Sequence, residues 1–318
     1  MKKIIITTGD FDGIGLEVTC KALQYIKIPT STQIIVFVHS RGELKHLKLL
    51  SSKYEMVFVT SLTQALKLKT GRHQLIIIKN SQSPAIWVEE AAKCIYLNQA
   101  QALVTGPLSK TEIKRAGFKD IGHTDILKRI THTKTAYMAF IGKHFNVLLV
   151  TGHVPIHQVE KQLDKTKIRQ AINLALLQSH KNKQKSVRVL GLNPHAGDQG
   201  LIGYFEQKIL IPVLSEFKKK AFNVIGPMVP DVAFSRQLQK KTSFYVCLYH
   251  DQGLIPFKMV HGFDDGVHVT LGLPIFRCSV DHGTAKDIFG KNIANHRSML
   301  KAIRYALKGV KNVSTGNF

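Results

Sequence analysis

Short apolar runs alternate with longer amphipathic segments along most of the chain. Several of the runs are almost continuously apolar, which is typical of strands buried on both faces of a sheet. The runs predict strands at Lys3–Thr8, Gln33–His39, Met56–Thr60, Gln74–Ile78, Ala102–Thr105, Thr135–Ile141, Phe145–Thr151, Val187–Leu192 and Phe244–Tyr249. The segments between them predict helices at Gly15–Tyr25, Pro84–Gln99, Lys165–His180, Phe205–Ala221 and Ala294–Leu307. This alternation indicates an α/β protein with a largely parallel or mixed sheet.

The composition adds one unusual feature, a strong excess of positive charge. Among 318 residues, 45 are Lys or Arg and 21 are Asp or Glu, so the formal net charge is +24. An apolar fraction of 44% excludes a disordered polycation, and the length predicts one large or two medium domains. The charge favours an anionic partner, which leaves nucleic acid, a membrane surface or a phosphorylated or carboxylated small molecule.

Membrane insertion and secretion are excluded by the same pattern. The apolar runs fall far short of the roughly 20 residues that a membrane-spanning helix needs. Gly9 and Asp10 end the first apolar run before it reaches the length of a signal sequence. The four cysteines are widely spaced, which is typical of reduced thiols in a cytoplasmic protein. We therefore expect a soluble cytoplasmic protein.

A histidine and a glycine-containing loop follow each of the last three predicted strands. These histidines are His153, His195 and His250. Ligand sites in α/β sheets lie beyond the carboxyl ends of strands, so the three side chains are expected to converge. Any one of the 15 histidines could reach a strand end by chance, but three in the same topological position favour a common role. Three imidazoles are a sufficient ligand set for a catalytic divalent metal.

Six motifs occur along the chain in a recognisable order. They are Thr105–Lys110, Gly122–Asp125, Thr151–Pro155, Gly191–Gly197, Tyr249–Leu254 and Val269–Pro274. In this order they resemble the 4-hydroxythreonine-4-phosphate dehydrogenase family, and the resemblance is collinear from Thr8 to about Ala306. It implies a two-domain α/β fold like that of isocitrate and isopropylmalate dehydrogenases, with mixed sheets flanked by helices and the active site in the interdomain cleft. We expect a discontinuous first domain at residues 1–118 plus 297–318, and a second domain at 119–296 that carries the metal histidines and the dimer interface.

The resemblance also implies roles for individual residues. His153, His195 and His250 would bind the metal at the interface of a homodimer. The substrate would be bound by His123, Thr124, Lys258, Arg277 and the residue at position 268, which is His268 here. Lysine and arginine are the partners that a phosphate or carboxylate requires. Lys110 or Asp251 would assist proton transfer, and the sequence does not choose between them.

A second segment, Asp281–Asn295, is similar to the cofactor loop of the isocitrate and isopropylmalate dehydrogenases. This similarity implies that NAD or NADP is bordered by His282, Gly283, Thr284, Ala285, Asp287 and Asn295. The glycine-rich stretch Gly9–Gly15 does not match the GxGxxG fingerprint. We interpret it as a structural turn at the start of a helix.

The implied reaction is the oxidation of 4-phosphohydroxy-L-threonine and its decarboxylation to 3-amino-2-oxopropyl phosphate, in pyridoxine (vitamin B6) biosynthesis. The implied cofactors are NAD or NADP and one Zn, Mg or Co ion per site. Four positions depart from the family pattern, since Phe11 and Leu16 replace prolines, His268 replaces an asparagine and Lys286 stands where an apolar residue is common. A relative acting on a phosphorylated threonate or erythronate, or on a cyclic dihydrodiol carboxylate, is therefore the alternative.

A basic nucleic-acid-binding protein is the more distant alternative. Such a protein would cluster its cations in one stripe with interleaved aromatic residues. The lysines instead spread over predicted helix and loop surfaces, as in Lys218–Lys220, where a solvated face is the simpler interpretation. We therefore expect a small phosphorylated hydroxy acid as the partner, with no nucleic acid and no membrane.

Overall fold

A computed structural model describes residues 1–42, 44–69, 71, 73–179, 184–262 and 264–312. Its strands are β1 (Lys2–Thr7), β2 (Thr32–His39), β3 (Glu55–Val59), β4 (Gln74–Asn80), β5 (Ala102–Thr105), β6 (Tyr137–Ile141), β7 (Asn146–Leu149), β8 (Ser186–Leu190), β9 (Val224–Met228), β10 (Thr242–Cys247), β11 (Val267–Leu271) and β12 (Arg277–Ser279). Its helices are α1 (Gly15–Gln24), α2 (Leu44–Lys48), α3 (Leu62–Lys67), α4 (Pro84–Tyr96), α5 (Lys110–Arg115), α6 (His123–Ile130), α7 (Val159–Gln162), α8 (Lys165–Ser179), α9 (Ile211–Lys219), α10 (Pro230–Ala233), α11 (Arg236–Lys241), α12 (His250–His261) and α13 (Arg297–Asn312). Short 3-10 or π turns lie at Ile156–Gln158, Pro194–Gly200, Glu206–Leu210 and Lys286–Ile288.

The chain divides into two compact units. Unit 1 combines Met1–Ala136 with Phe263–Phe318, and unit 2 is Tyr137–Gly262. The sequence predicts the boundaries at 118/119 and 296/297, so the described residues of 119–136 and 264–296 fall in unit 1 instead of the second domain. The reason is tertiary, because α6 packs on α4 and β12 pairs with β5.

In unit 1 the strands lie in the order β3-β4-β2-β1-β5-β12-β11. All neighbouring pairs are parallel except β11 and β12, which are antiparallel. The apolar residues of the central strands β1, β2, β4 and β5 are buried, as their sequences predict. Trp87 of α4 is fully buried against this sheet and donates its indole N–H to Asn80 Oδ1 at 2.8 Å. Because β1 and β5 are parallel neighbours, their carboxyl ends lie side by side.

In unit 2 the strands lie in the order β6-β7-β10-β8-β9. β6 is antiparallel to β7, and the remaining neighbours are parallel. The core contains Phe145, Tyr245 and Phe257, with the rings of Phe145 and Phe257 in an edge-on arrangement. Because β7, β10 and β8 are parallel neighbours, their carboxyl ends share one edge of the sheet.

All nine predicted strands are present, and their ends agree within two residues. The predicted helix Lys165–His180 is present to Ser179, and His180 lies outside the described residues. The predicted helix at Phe205–Ala221 begins with a π turn and continues as α9, while the last predicted helix begins at Arg297 rather than Ala294. The sheets are mixed, as predicted.

The main difference follows His250, where the sequence predicts a glycine-containing loop and the structure has α12. Gly253 lies inside this helix. A glycine is required there because a Cβ would come within 2.8 Å of Leu149 Cδ2 and 3.0 Å of Cys247 Sγ. The glycine therefore serves close packing of α12 on β7 and β10 and does not break the helix. Within the described ranges, no helix has both the length and the apolar character needed to cross a membrane.

Candidate active site

The three predicted metal ligands lie beyond the ends of adjacent parallel strands of unit 2. His153 follows β7, His195 follows β8 and His250 follows β10, each within a few residues of the strand end. All three therefore lie at the carboxyl edge of one sheet, where ligand sites of α/β proteins form.

Two of these histidines are neighbours. The ring centroids of His153 and His250 are 5.1 Å apart, and two imidazoles on one tetrahedral metal ion are roughly 5 Å apart. Nδ1 of His250 lies 2.6 Å from Asp251 Oδ1, and the imidazole is the donor because the carboxylate can only accept. This hydrogen bond leaves Nε2 of His250 for a ligand, an arrangement typical of metal-binding histidines.

His195 lies on an unusual turn. Five consecutive residues, His195–Gln199, have positive φ values between 39° and 81°, and four of them are not glycine. Each such residue costs roughly 1–2 kcal/mol relative to ordinary backbone. A strained turn of this kind persists only where surrounding contacts fix it, and such turns are concentrated at functional sites.

The backbone just before this turn is fixed by Glu206, which is 1% exposed. Its Oε1 accepts hydrogen bonds from the backbone N–H groups of Leu192 and Asn193, both at 2.8 Å. Its Oε2 accepts a third from Asn193 Nδ2 at 2.9 Å. The buried carboxylate thereby fixes the segment that joins β8 to His195.

The described residues of one copy of the chain do not assemble a complete metal site. Among the described residues, no three His, Cys, Asp or Glu side chains are close enough to hold a metal ion. His153 and His250 fit a divalent metal in donor type and spacing, whereas His195 does not join them. The three-histidine site stays a prediction.

In unit 1 the predicted substrate ligand Arg277 extends from β12 into the interior and is 3% exposed. Its Nη1 donates to Thr270 Oγ1 at 2.9 Å and its Nη2 to Thr105 Oγ1 at 2.7 Å, while its Nε has no partner among the described residues. No carboxylate of those residues lies within ion-pair distance. Burial lowers the pKa of Arg277 to about 10, so it stays charged at neutral pH. A buried guanidinium without a carboxylate indicates an anion site.

Two imidazoles belong to the surroundings of Arg277. Nδ1 of His268 lies 3.4 Å from Arg277 Nη1 and 2.9 Å from Ser279 Oγ, and it accepts from the guanidinium, which only donates. His123 begins α6, and its Nε2 is buried without a hydrogen-bond partner in the described part of the chain. Burial and the charge of Arg277 lower the pKa of His123 to about 3. His123 is therefore neutral at physiological pH, and Thr124 follows it in the first turn of α6.

The remaining predicted substrate and proton-transfer residues are divided between the units. Lys258 is half-buried on α12 in unit 2, and Asp251 is exposed beside His250. Lys110 is exposed at the start of α5 in unit 1. The hydrogen bond to His250 gives Asp251 an orienting contact, and no contact assigns proton transfer to Asp251 or Lys110.

The segment proposed to border a dinucleotide has features that suit a ligand. Nε2 of His282 is buried with no hydrogen-bond partner among the described residues, while its Nδ1 lies 3.0 Å from Gly283 O. A Cβ added at Gly283 would meet no atom within 4 Å, so the backbone there is open to a ligand. Thr284 O accepts from Ile14 N at 3.0 Å, and Ala285 has the left-handed φ of +43°. An open backbone beside an unpaired ring nitrogen fits a nucleotide.

Two other residues of this set have different surroundings. Asp287 is exposed. Asn295 donates to Asp264 Oδ2 at 2.6 Å and accepts from Arg297 N at 3.0 Å, so its amide already has protein partners. A dinucleotide would have to share or replace these bonds.

The sequence did not identify the residues that position the predicted ligands. Thr105 and Thr270 lie within motifs already noted, but their contacts with Arg277 depend on strand pairing across the sheet. Glu206 belongs to none of the six motifs, and its burial is known only from the folded structure.

Comparisons with known proteins agree on one family. The family model described as "Pyridoxal phosphate biosynthetic protein PdxA" matches residues 29–306. A 4-hydroxythreonine-4-phosphate dehydrogenase of Sulfurihydrogenibium sp. is 35% identical, covering 96% of this chain and 98% of the relative. A relative from Oceanobacillus iheyensis, whose name assigns it to D-threonate 4-phosphate, is 32% identical over 95% of this chain and 96% of its own length.

Solved structures extend the agreement to the fold. The 4-hydroxythreonine-4-phosphate dehydrogenase of Klebsiella pneumoniae aligns with a TM-score of 0.80 and 27% identity, covering 97% of this chain and 98% of that one. The isocitrate dehydrogenase of Methylococcus capsulatus aligns with a TM-score of 0.53 and 13% identity, covering 99% of this chain and 89% of that one, which shows a shared fold. The isocitrate dehydrogenase-like α/β fold is thus confirmed. The chain belongs to the pyridoxal phosphate biosynthetic protein PdxA family, a family of dehydrogenases.

Proposed function

We propose that the protein oxidises 4-phosphohydroxy-L-threonine with NAD+ and a divalent metal, and that the product loses CO2 to give 3-amino-2-oxopropyl phosphate. The observation that carries this proposal is the buried guanidinium of Arg277, which lacks a carboxylate partner among the described residues. In a chain whose relatives are 4-hydroxythreonine-4-phosphate dehydrogenases, an anionic substrate supplies the missing charge.

Arg277 and its neighbours would bind and orient this substrate. The hydroxyls of Thr105 and Thr270 fix the guanidinium, so little rotational freedom is lost when an anion binds. His123 is neutral, and its unpaired Nε2 offers a further polar contact beside the cation. Together these groups would bind the anionic end of the substrate and thereby orient the carbon that is oxidised.

His153, His195 and His250 are the proposed metal ligands, and Asp251 orients His250 through the hydrogen bond to Nδ1. A divalent metal, when bound, supplies Lewis acidity that lowers the pKa of the substrate hydroxyl and favours loss of CO2. Neutral imidazole ligands do not offset the positive charge of a metal ion, so that charge would act on the substrate.

We infer further that a second copy of the chain completes this site. A single copy does not assemble three ligands from its described residues. Large apolar side chains are exposed close by in sequence, namely Ile255 (59%) and Met259 (81%) on the helix that begins at His250, and Leu201 (85%) beyond the His195 turn. Such exposure is typical of a surface that another protein covers.

Two finer assignments belong with this proposal. We infer a reducing, cytoplasmic setting because all four cysteines are buried free thiols. His268, which replaces an asparagine of the resembled family, keeps D-threonate 4-phosphate as the second candidate substrate, and the Oceanobacillus relative supports that candidate.

The assay follows reduction of NAD+ and NADP+ at 340 nm with 4-phosphohydroxythreonine, phosphothreonate and a dihydrodiol carboxylate. We expect NAD+ and 4-phosphohydroxythreonine to give the highest kcat/KM. Arg277→Met should lower kcat/KM by about 100-fold or more, as expected for loss of a buried charged hydrogen-bond donor. Arg169→Met, which removes an exposed arginine of a surface ion pair, is the matched control and should change little. Absence of activity with all three substrates, or an unaffected Arg277→Met variant, would refute the proposal.

A further inference from the structure

Lys286 lies between two carboxylates of the glycine-rich first loop. Its Nζ is 2.8 Å from the Asp12 carboxylate and 3.2 Å from Asp10 Oδ2. The hydrogen bond to Asp12, and then that to Asp10, raises the pKa of Lys286 against the opposing effect of burial. The lysine is therefore charged throughout the physiological range and links two segments that are far apart in sequence.

Asp10 is held in place by hydrogen bonds that do not involve Lys286. Its side chain is fully buried, and its Oδ1 accepts from Ser109 N at 2.9 Å. Its backbone N–H also donates to Pro107 O at 3.0 Å. Because these bonds do not involve Lys286, Asp10 keeps its position without the lysine, and the lysine is the partner that attaches to it.

The segment that carries Lys286 is bonded at both of its ends, to Ile14, the residue before α1, and to α1 itself. Thr284 O accepts from Ile14 N at 3.0 Å, and a Cβ at Gly13 would come within 3.0 Å of that oxygen. At the other end, Ala294 N donates to Glu17 Oε1 at 2.8 Å. Between these two ends, Lys45 Nζ donates to Gly290 O at 3.2 Å and Lys21 Nζ to Asn292 O at 2.9 Å. Lys286 adds the contact nearest to Thr284 and Ala285, and its partners are carboxylates.

The backbone beside Lys286 adopts a conformation that needs support. Ala285 has φ +43° and ψ 54°, which costs an L-residue with a Cβ roughly 1–2 kcal/mol. Thr284 and Lys286, the residues on either side, carry the two contacts to the first loop. Strained backbone persists where neighbouring contacts determine it, and it is concentrated at ligand-binding segments.

We infer that Lys286 is a positioning residue. Its ion pairs with Asp10 and Asp12, which we call the latch, hold residues 284–294 in the dinucleotide-binding conformation before the dinucleotide binds. The inference rests on the proposed binding of NAD by this segment. The latch joins Lys286 to Asp10 and Asp12. It acts by lowering the conformational freedom that binding would otherwise remove, so it strengthens binding without touching the reacting atoms.

The test combines hydrogen exchange of the ligand-free protein with calorimetric titration of NAD+. Lys286→Met should speed exchange of the amides of 284–294 and weaken NAD+ binding about two- to fivefold, the size expected for a partly exposed ion pair. At saturating NAD+, kcat should be unchanged. Lys286→Arg should restore both exchange protection and affinity. Lys291→Met removes an exposed lysine of the same segment and should leave exchange as in the wild type.

Asp12→Asn provides an independent test of the same contact. Its effect on NAD+ affinity and that of Lys286→Met should be non-additive, because both remove one interaction. If the wild-type protein binds no dinucleotide, the proposed function is wrong. If it binds NAD+ and Lys286→Met binds it equally well with unchanged exchange, the latch alone is wrong. Additive effects of the two substitutions would also overturn the latch.

Discussion

The pKa values and hydrogen bonds of Arg277 and His123 are determined by residues that surround them in the folded chain. The resemblance to a known family implied that both are substrate ligands. The structure adds a physical reason for Arg277, a buried cation whose hydrogen-bond partners among the described residues are hydroxyls and an imidazole. Thr105 and Thr270 could not be assigned from sequence because each reaches Arg277 from a different strand. A local pattern identifies a residue type, whereas its charge state depends on neighbours that are remote in the chain.

The lowered pKa of His123 has a consequence for stability. The folded-state pKa is about 3, below the ordinary value of 6.5, so between these values the unfolded chain binds more protons than the folded one. Stability from this group is therefore complete above pH 6.5 and is lost as the pH falls toward 3, by at most about 1.4 kcal/mol per pH unit. Urea unfolding of the wild type and His123→Gln at pH 7, 6 and 5 measures this. We expect a shallower decline in the variant; equal declines would contradict the assignment.

At the scale of elements, nine of the twelve strands in the described residues were predictable, whereas β9, β11 and β12 and the turns around the site were not. Continuous apolar runs located all nine predicted strands, including those that precede His153, His195 and His250. The left-handed turn at His195–Gln199 is not evident from the sequence, since Ala196 and Gln199 are of types that normally avoid positive φ. Gly253 and Pro256 are typical of a loop, yet α12 contains both because Gly253 permits close packing on β7 and β10.

Glu206 is the contact that we expect to maintain the His195 turn. Glu206→Ala removes three hydrogen bonds and should weaken divalent-metal binding about 10- to 100-fold, the range seen when groups that orient metal ligands are lost. Metal titration by calorimetry gives the affinity, and circular dichroism verifies folding. Glu206→Gln, which keeps one acceptor oxygen, should have a smaller effect. Glu216→Ala, on the exposed surface of α9, is the control. Equal affinities in all variants would show that the turn does not depend on Glu206.

For the whole molecule, the α/β fold could be predicted and the division of the chain could not be placed accurately. The described residues of 119–136 and 264–296 join unit 1 because of pairings between segments far apart in sequence, which a linear pattern does not reveal. The net charge of +24 is likewise only partly explained. Arg277 and Lys286 have proposed roles in substrate and dinucleotide binding, and the remaining excess would steer anionic substrates toward the protein over long range.

Metal-dependent reduction of NAD+ by the full chain would test the proposed dehydrogenase activity. Protein stripped of metal by a chelator is assayed at 340 nm with 4-phosphohydroxythreonine, before and after addition of Zn, Co or Mg. We predict no reduction before addition and recovery afterwards in the wild type, and no recovery in His153→Ala. His157→Ala, which alters an exposed histidine of unit 2, should recover like the wild type. Undiminished NAD+ reduction by the metal-free protein, or full activity of His153→Ala, would show that His153 and a divalent metal are not required.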